Sequence, residues 1–597
     1  MFERNGTLLL KRFGSYFFPT ILMSVALSMS IVVDGIIVGN MLGPEALAAV
    51  NLGLPLMQGY AALFVFFGMG GAVLAAWHMG RHELAAAGTV FTVAAACLLA
   101  CGLVCATAGT AFMETLAILL SGGTALAEPL RRYLEPLVWG APLLIVTPGL
   151  SYFVRTDGRP GLASAILITA NVANLICDVL FIYWLDDIAG AAWATVTGYG
   201  VALGPLAFCL AAPRRVLRFT LTGGPLSARL GGVLRSGLPG GLNIGLQFLK
   251  LFCLNMLVLS VAGKSGMVAF SVCLACLSLA SMFISGASQT MMPIMGVLYG
   301  EGDHTGMRIV FRRALTVLLC GTAGLIAVLM IFPRELLALF GISGGDMALG
   351  ERAVRLFAPS LLGDAFAMLM MYYAQTIQRQ MVAVTAAVLQ SVAILLPCAW
   401  LFSRWWGLDG IWLSFSVAGA LTALALLALT RGVAARAKGA VAGLLMLPPD
   451  SAQTASLDVS LSNTLEAAVG LSARVTAFCR EQGLDGTIAL RAGIIVEEMA
   501  VNTVRHGGVA PGSGMLDVRL HMRDEDVRIA FRDTGRPFNP LEYTPERGAE
   551  SAGGGIPLIR TLGARLEYSY ALGFNNSVVT LPRRQASPSP ISTPCLM

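Results

Sequence analysis

The chain has 597 residues, of which 56% are apolar and only 12% charged, and its net charge is +6. Soluble globular proteins carry about a quarter charged residues, so a wholly soluble chain is excluded. Nucleic-acid binding is not indicated either, because 26 of the 40 Lys and Arg fall in residues 1–440, mostly in gaps between apolar runs.

Crossing a bilayer as helix takes about 20 apolar residues. Such runs lie near 15–40, 46–78, 88–110, 133–155, 161–184, 188–212, 236–260, 266–299, 314–333, 353–377, 380–403 and 408–430. The fold class expected is therefore a polytopic α-helical membrane protein of twelve spans. No small-residue cleavage site follows the first run, which reads as a retained helix rather than a signal peptide. With the N-terminus inside, eighteen Lys and Arg flank the cytoplasmic ends and seven the outer ends. That bias predicts cytoplasmic N- and C-termini in a cell (inner or plasma) membrane.

Cys97, Cys101 and Cys105 share one helix face, and Cys273 and Cys276 form a CxxC inside a span. Both groups read as small apolar side chains easing helix contact, and no disulfide is expected. His78 and His82 are four apart at the membrane edge and read as structural, not as metal ligands. GKS at 263–265 lacks the upstream glycine of a P-loop.

A shift of about 220 residues superimposes the two halves. Gly80 then meets Gly300, Glu83 meets Asp303, Thr156 meets Thr376, Arg159 meets Arg379 and Gly190 meets Gly410. The reading is two six-helix repeats, an N-terminal lobe at 1–220 and a C-terminal lobe at 221–435. Six spans per half make the repeats parallel, and transporters so built bind cargo between lobes that rock.

Ionisable groups inside spans are costly and mark function by default. Asp34 lies late in the first span, Asp178 in the fifth and Asp364 in the tenth. Asn174 precedes Asp178 by one helical turn, so an amide and a carboxylate share a face suited to a proton or Na⁺. A buried structural hydrogen bond is the competing reading. Lys250 is the basic residue deep in the seventh span, positioned to pair with Asp364 or to meet cargo.

These residues sit in segments that resemble a known family. VVDGIIVGNMLGPEALAAVNLGLPL, RTDGRPGLASAILITANVANLICDVLF and MMPIMGVLYGEGD are similar to signatures of the MATE (multidrug and toxin extrusion) transporters over residues 10–435. The resemblance implies a cation site at Asp34, Asn174 and Asp178, where H⁺ or Na⁺ entry drives export of small organic molecules. Lys250 departs from that pattern and keeps an anionic or zwitterionic cargo open.

Residues 436–455 read as a linker and 456–584 as a charged α/β domain, with a disordered tail at 585–597. LDVSLS is expected as a strand, then two helices, then the paired strands MLDVRLHM and DVRIAFRD. Glu498 and Asn502 share a helix face, where an amide oxygen suits Mg²⁺ and a carboxylate suits a general base. Asp533 ends a strand, able to accept from an adenine amino group. Gly553, Gly554 and Gly555 open a short helix, where backbone amides suit phosphates.

In this order the motifs resemble the GHKL (Bergerat-type) ATP-binding α/β sandwich. VEEMAVNTVRHG and GIPLIRTLGARLEY are most similar to anti-sigma-factor serine kinases. The resemblance implies ATP and Mg²⁺ as cofactors, Asn502 as Mg²⁺ ligand, Glu498 as base and Asp533 as adenine reader, with Gly535 in the same adenine-side motif. His506 reads as structural or phosphate-proximal.

The leading expectation is a cation-coupled antiporter whose ATP-binding domain regulates it or signals. Its partners are a small-molecule substrate, the bilayer and a cytoplasmic phosphoacceptor protein. One alternative is a membrane sensor controlling a serine kinase that acts on an anti-sigma-antagonist-like protein. Another is a flippase of a lipid-linked saccharide. Serine kinase activity in 456–584 and simple ATP binding both stay open.

Overall fold

The computed structural model describes residues 4–212, 215–339, 346–448, 455–508, 514–542, 556–562 and 564–583. The expected Gly553–Gly555 loop and the tail at 585–597 lie outside them. The chain divides into one unit spanning Arg12–Leu447 and a second that joins the residues before Arg12 to those from Pro448 onward.

Among the described residues, the first unit is built of helices joined by turns and loops, the first helix beginning at Thr7. Its first half runs α1 (Thr7–Leu42), α2 (Pro44–Phe64), a π turn at Val65–Met69, α3 (Gly70–Gly80), α4 (Leu84–Ala111), α5 (Met113–Ser121), α6 (Ala127–Trp139), α7 (Ala141–Thr156), α8 (Pro160–Leu185) and α9 (Ala189–Ala211). The second half runs α10 (Leu226–Glu301), α11 (His304–Ile331), α12 (Pro333–Leu339), α13 (Asp346–Phe357), α14 (Ser360–Thr376), α15 (Gln380–Val388), a π turn at Leu389–Ala393 and α16 (Leu395–Arg436).

Among the described residues, seven helices are long and apolar enough to cross a membrane, or nine if two bent pairs each count as one span. The run predicted at 133–155 is such a pair, α6 and α7 meeting at 54°. Gly140 sits at the bend, with Pro136 one turn before it and Pro142 two residues after. A proline lacks the N–H that would continue the ladder, which gives the bend its cause.

The twofold repeat expected from sequence is written into the backbone. Left-handed residues recur at a constant spacing: Gly43 and Gly263, His82 and Gly302, and Gly158 and Gln378 are each 220 apart, and Asp186 and Gly407 are 221 apart. Positive φ costs energy for any residue with a Cβ, so its recurrence at His82, Asp186 and Gln378 marks the same turns in both halves. Gly263 and Gly407 interrupt α10 and α16 with non-helical backbone, where the first half has its α1–α2 and α8–α9 turns.

The halves meet along a backbone seam. A Cβ on Gly70 would overlap the backbone of Gly237, and one on Gly300 would overlap the carbonyl of Trp77 and approach the Cα of Gly80 within 2.9 Å. Small residues are what let helices approach this closely.

The second unit holds a five-stranded antiparallel sheet of order β1-β2-β3-β5-β4. Its strands are β1 (Ser456–Ser462), β2 (Met515–Met522), β3 (Asp526–Asp533), β4 (Arg565–Ala571) and β5 (Phe574–Pro582), with α17 (Leu465–Glu481), α18 (Gly486–His506) and α19 (Ile556–Thr561) between them. Strand alternation sends Val459, Leu461, Val518, Leu520, Ile529, Phe531, Val579 and Leu581 to one face, where they pack on Leu471, Val475, Ile495 and Val496 of the helices. Thr464 and Asp485 cap α17 and α18 by accepting from the amides of Ala467 and Thr487. On β2, Asp517 takes the Ser460 hydroxyl at 2.6 Å and the Arg4 guanidinium at 3.3 Å, both charged side chains being fully enclosed.

Candidate functional site

Two constellations carry chemistry, one in each unit. In the helical unit, the carboxyl groups of Asp34 on α1 and Asp178 on α8 come within hydrogen-bonding reach of one another. A hydrogen bond between two carboxyls needs a proton on one of them. Asp178 is 1% exposed and Asn174 6%. Asn174 donates its amide to the Thr195 hydroxyl at 3.3 Å, and Thr195 donates on to the Ala191 carbonyl, which fixes how the amide is turned. Gly198 makes the seat, since a Cβ there would stand 2.9 Å from the Asn174 Cβ. Tyr133 and Tyr199 bring hydroxyls within electrostatic range of Asp34. Neither tyrosine, nor Thr195, is marked by any local sequence pattern.

The second half is built differently. Asp364 on α14 accepts from Gln390 at 3.5 Å. Lys250 on α10 is buried and within electrostatic range of Asp364, without a direct ion pair between the two. The repeat therefore carries a carboxyl pair in one half and a separated acid and base in the other.

In the second unit, a cavity of about 40 Å³ opens between α18 and the strand ends. Asn502, Thr503 and His506 line one wall, with Asp533, Asn575 and Ser577 facing them and Met499, Phe538 and Ile556 supplying apolar surface. Asp533 Oδ1 accepts from the Gly535 amide at 2.7 Å and from Asn575 at 2.9 Å. Both donors engage the same oxygen, so Oδ2 is the atom presented to a ligand. Burial pushes the Asp533 carboxyl upward from its ordinary value, opposed by those two hydrogen bonds.

Gly535 is required by close approach. A Cβ there would stand 2.8 Å from both Asp533 Oδ1 and the Gly507 carbonyl. Asn575 also donates to the Arg536 carbonyl at 3.1 Å and accepts from the Phe538 amide at 3.3 Å and the Tyr568 hydroxyl at 2.8 Å. It thus pins the whole 533–538 loop, a role the sequence does not announce. Glu498 lies one turn before Asn502 on α18 but is not among the residues lining the cavity. The helix α19 begins at Ile556, directly after the glycine run.

Comparison with known proteins follows this division. The MatE family profile matches twice, over residues 19–180 and 239–401, so its two starts are 239 − 19 = 220 residues apart. A histidine kinase-like ATPase domain profile matches residues 461–581. The multidrug export protein MepA of Staphylococcus saprophyticus is 21% identical over 383 residues, which is 64% of this chain and 84% of that protein. An outward-facing multidrug resistance MATE transporter of the MOP superfamily superposes with TM-score 0.67 at 22% identity, covering 73% of this chain and 99% of that one. A MOP-superfamily transporter from Pyrococcus furiosus, described as having a binding pocket of reverse polarity, gives TM-score 0.67 at 21% identity with the same coverages. Carrying the family's profile over more than half its length, the chain belongs to the MATE transporters and has a histidine kinase-like ATPase domain joined to its C-terminal side.

Proposed function

We propose that this chain is a cation-coupled antiporter exporting small organic molecules, with an ATP-binding domain that regulates transport. The observation carrying the reading is the Asp34–Asp178 carboxyl pair on α1 and α8, with Asp34 half-buried and Asp178 buried, beside the oriented Asn174 amide. A carboxyl pair holding one proton can take up a second, or release the one it holds and bind Na⁺ in its place, and the cost of its burial is offset only when a cation is held. Twelve crossings fit this reading. The interruptions at Gly263 and Gly407 divide α10 and α16 into two spans each, matching the turns at Gly43 and Asp186. An even number returns the chain to the cytoplasm, where ATP is present.

The cavity of the second unit suits a nucleotide. Asp533 Oδ2 is placed to accept from an adenine amino group, between the apolar surfaces of Met499 and Ile556. Asn502 offers a single amide oxygen, and no cluster of three acidic, His or Cys ligands exists among the described residues. That donor set fits a Mg²⁺ that draws its other ligands from phosphate and water. Magnesium would supply charge neutralisation at the phosphates, and Glu498 would orient an attacking hydroxyl. A second reading, a sensor that phosphorylates a protein serine, is favoured by the similarity of this domain to kinase-like ATPases.

Vesicle transport under imposed proton and Na⁺ gradients, with and without internal ATP, tests both. Asp34→Asn and Asp178→Asn should each lower gradient-driven efflux at least about tenfold, whereas Asn502→Ala should remove only the ATP response. Efflux that persists in the double Asp34→Asn, Asp178→Asn variant would end the antiporter reading. Intact, ATP-insensitive efflux in every variant, together with phosphate transfer to a cytoplasmic protein, would favour the sensor.

A further inference from the structure

Arg155 occupies the last turn of α7, and its side chain is 93% buried. Its guanidinium stacks over the Tyr152 ring at 4.9 Å, and its backbone carbonyl accepts from the Tyr16 hydroxyl at 3.1 Å. The residue is held from two sides, yet Nη1 has no acceptor among the described residues. The groups within electrostatic range are the hydroxyls of Tyr152, Tyr16 and Tyr372, with no carboxylate among them. Arg215, equally buried, shows the usual solution. It donates to the carbonyls of Leu210 and Leu217 and lies near Asp157.

Beside Arg155 is a cavity of about 20 Å³. Met69, Val73, Tyr152 and Thr156 of the first half form one side, and Gln289 and Pro293 of the second half form the other. No lining residue is acidic. The repeat argues that the charge is not a structural necessity. The position equivalent to 155 is 155 + 220 = 375, where the neutral Gln375 donates to the Ser236 carbonyl at 2.7 Å. An amide suffices to close that helix end, so the guanidinium in the first half has a separate role. A buried cation without a partner is strongly disfavoured, and burial is tolerated when a counter-charge is supplied.

We propose that Arg155 and the adjoining cavity form a binding site for one monovalent inorganic anion of halide size, held between the two lobes. The space is small, about 20 Å³, and its lining offers one guanidinium and no second cation, which suits one small monovalent anion rather than doubly charged sulfate or phosphate. Because its walls come from both halves, an anion seated there stabilises the arrangement in which the lobes touch at this depth. The cation pair at Asp34 and Asp178 is a different site with opposite charge selectivity, so the two can be tested separately.

The test uses the full chain in lipid nanodiscs, with thermal unfolding followed by tryptophan fluorescence at constant ionic strength. Replacing gluconate by chloride or bromide should raise Tm saturably by at least about 2 °C, and sulfate should give no such rise. Arg155→Gln should abolish the halide-specific rise, and Arg155→Lys should keep part of it. Crystals of the unmutated protein grown in bromide should show an anomalous peak beside the Arg155 guanidinium, a readout that does not depend on a variant folding. Identical Tm in chloride and gluconate, a halide rise that survives Arg155→Gln, or no bromide peak at Arg155 would each overturn the proposal.

Discussion

Asn575 holds the 533–538 loop beside the cavity proposed to take a nucleotide, and Asn575→Ala tests that reading directly. The substitution removes donations to Asp533 Oδ1 at 2.9 Å and to the Arg536 carbonyl at 3.1 Å, together with acceptances from the Phe538 amide and the Tyr568 hydroxyl. A hydrogen bond to a charged group contributes about 1.5–3 kcal/mol and a neutral one about 1 kcal/mol. These share one side chain, do not add, and act on nucleotide only by holding the 533–538 loop. A loss of about 2 kcal/mol, or about 30-fold in ATP affinity, is expected. Tyr568→Phe deletes one of the bonds to Asn575 and should cost about fivefold. The double variant should be no weaker than Asn575→Ala alone, since the Tyr568 bond is already lost when Asn575 is replaced.

The pH dependence carries a sign. Burial already raises the Asp533 carboxyl, and Asn575 opposes that rise. Without Asn575 the carboxyl moves further up, so on acidification ATP affinity should begin to fall at a higher pH than in the unmutated chain. A carboxyl raised on folding favours the fold below its unfolded pKa, and that contribution disappears as pH climbs through the folded value. Titration of a fluorescent ATP analogue into the full chain in nanodiscs, between pH 5 and 8, measures both effects. An affinity within twofold of the unmutated chain for Asn575→Ala, alongside its abolition by Asp533→Ala, would refute the argument that Asn575 shapes the site.

Two further outcomes follow from burial in the second unit. Arg4→Ala strands the enclosed Asp517 carboxylate and should destabilise this unit by about 3–5 kcal/mol in calorimetry of the full chain. The paired change Arg4→Met with Asp517→Leu should recover most of that loss. Burial pushes the Cys479 thiol up to about 11, so it should stay unlabelled by maleimide at pH 7.5 until the unit unfolds.

Much of this architecture was legible in the residues, for identifiable reasons. The strands over Met515–Met522 and Asp526–Asp533 follow from strict alternation around a charged turn, and that pattern survives folding because one face meets the helices. The repeat was visible through Gly80 and Gly300, which are kept small because backbones touch there. Hydropathy could not show that the apolar run at 133–155 is two helices, since the bend comes from prolines and Gly140 rather than from polarity. Nor could it place Asn575 or Thr195. Their work is done across 42 residues to Asp533 and 21 to Asn174, distances over which a local pattern carries no signal. Lys250 and Asp364 read as natural partners from charge alone, but α10 and α14 hold them apart and Gln390 takes the carboxylate instead.

The glycine seam bears on how such a molecule can move. Where Gly70 faces Gly237 and Gly300 faces Gly80, main chain lies on main chain, while Met69 and Phe66 beside them reach Gly240 and Gly241. Parting the main-chain contacts themselves frees almost no rotamers, so how closely the halves seat there is set by the glycines. Adding a single methyl at Gly70 or Gly300 would wedge the halves and bias the rocking toward one opening.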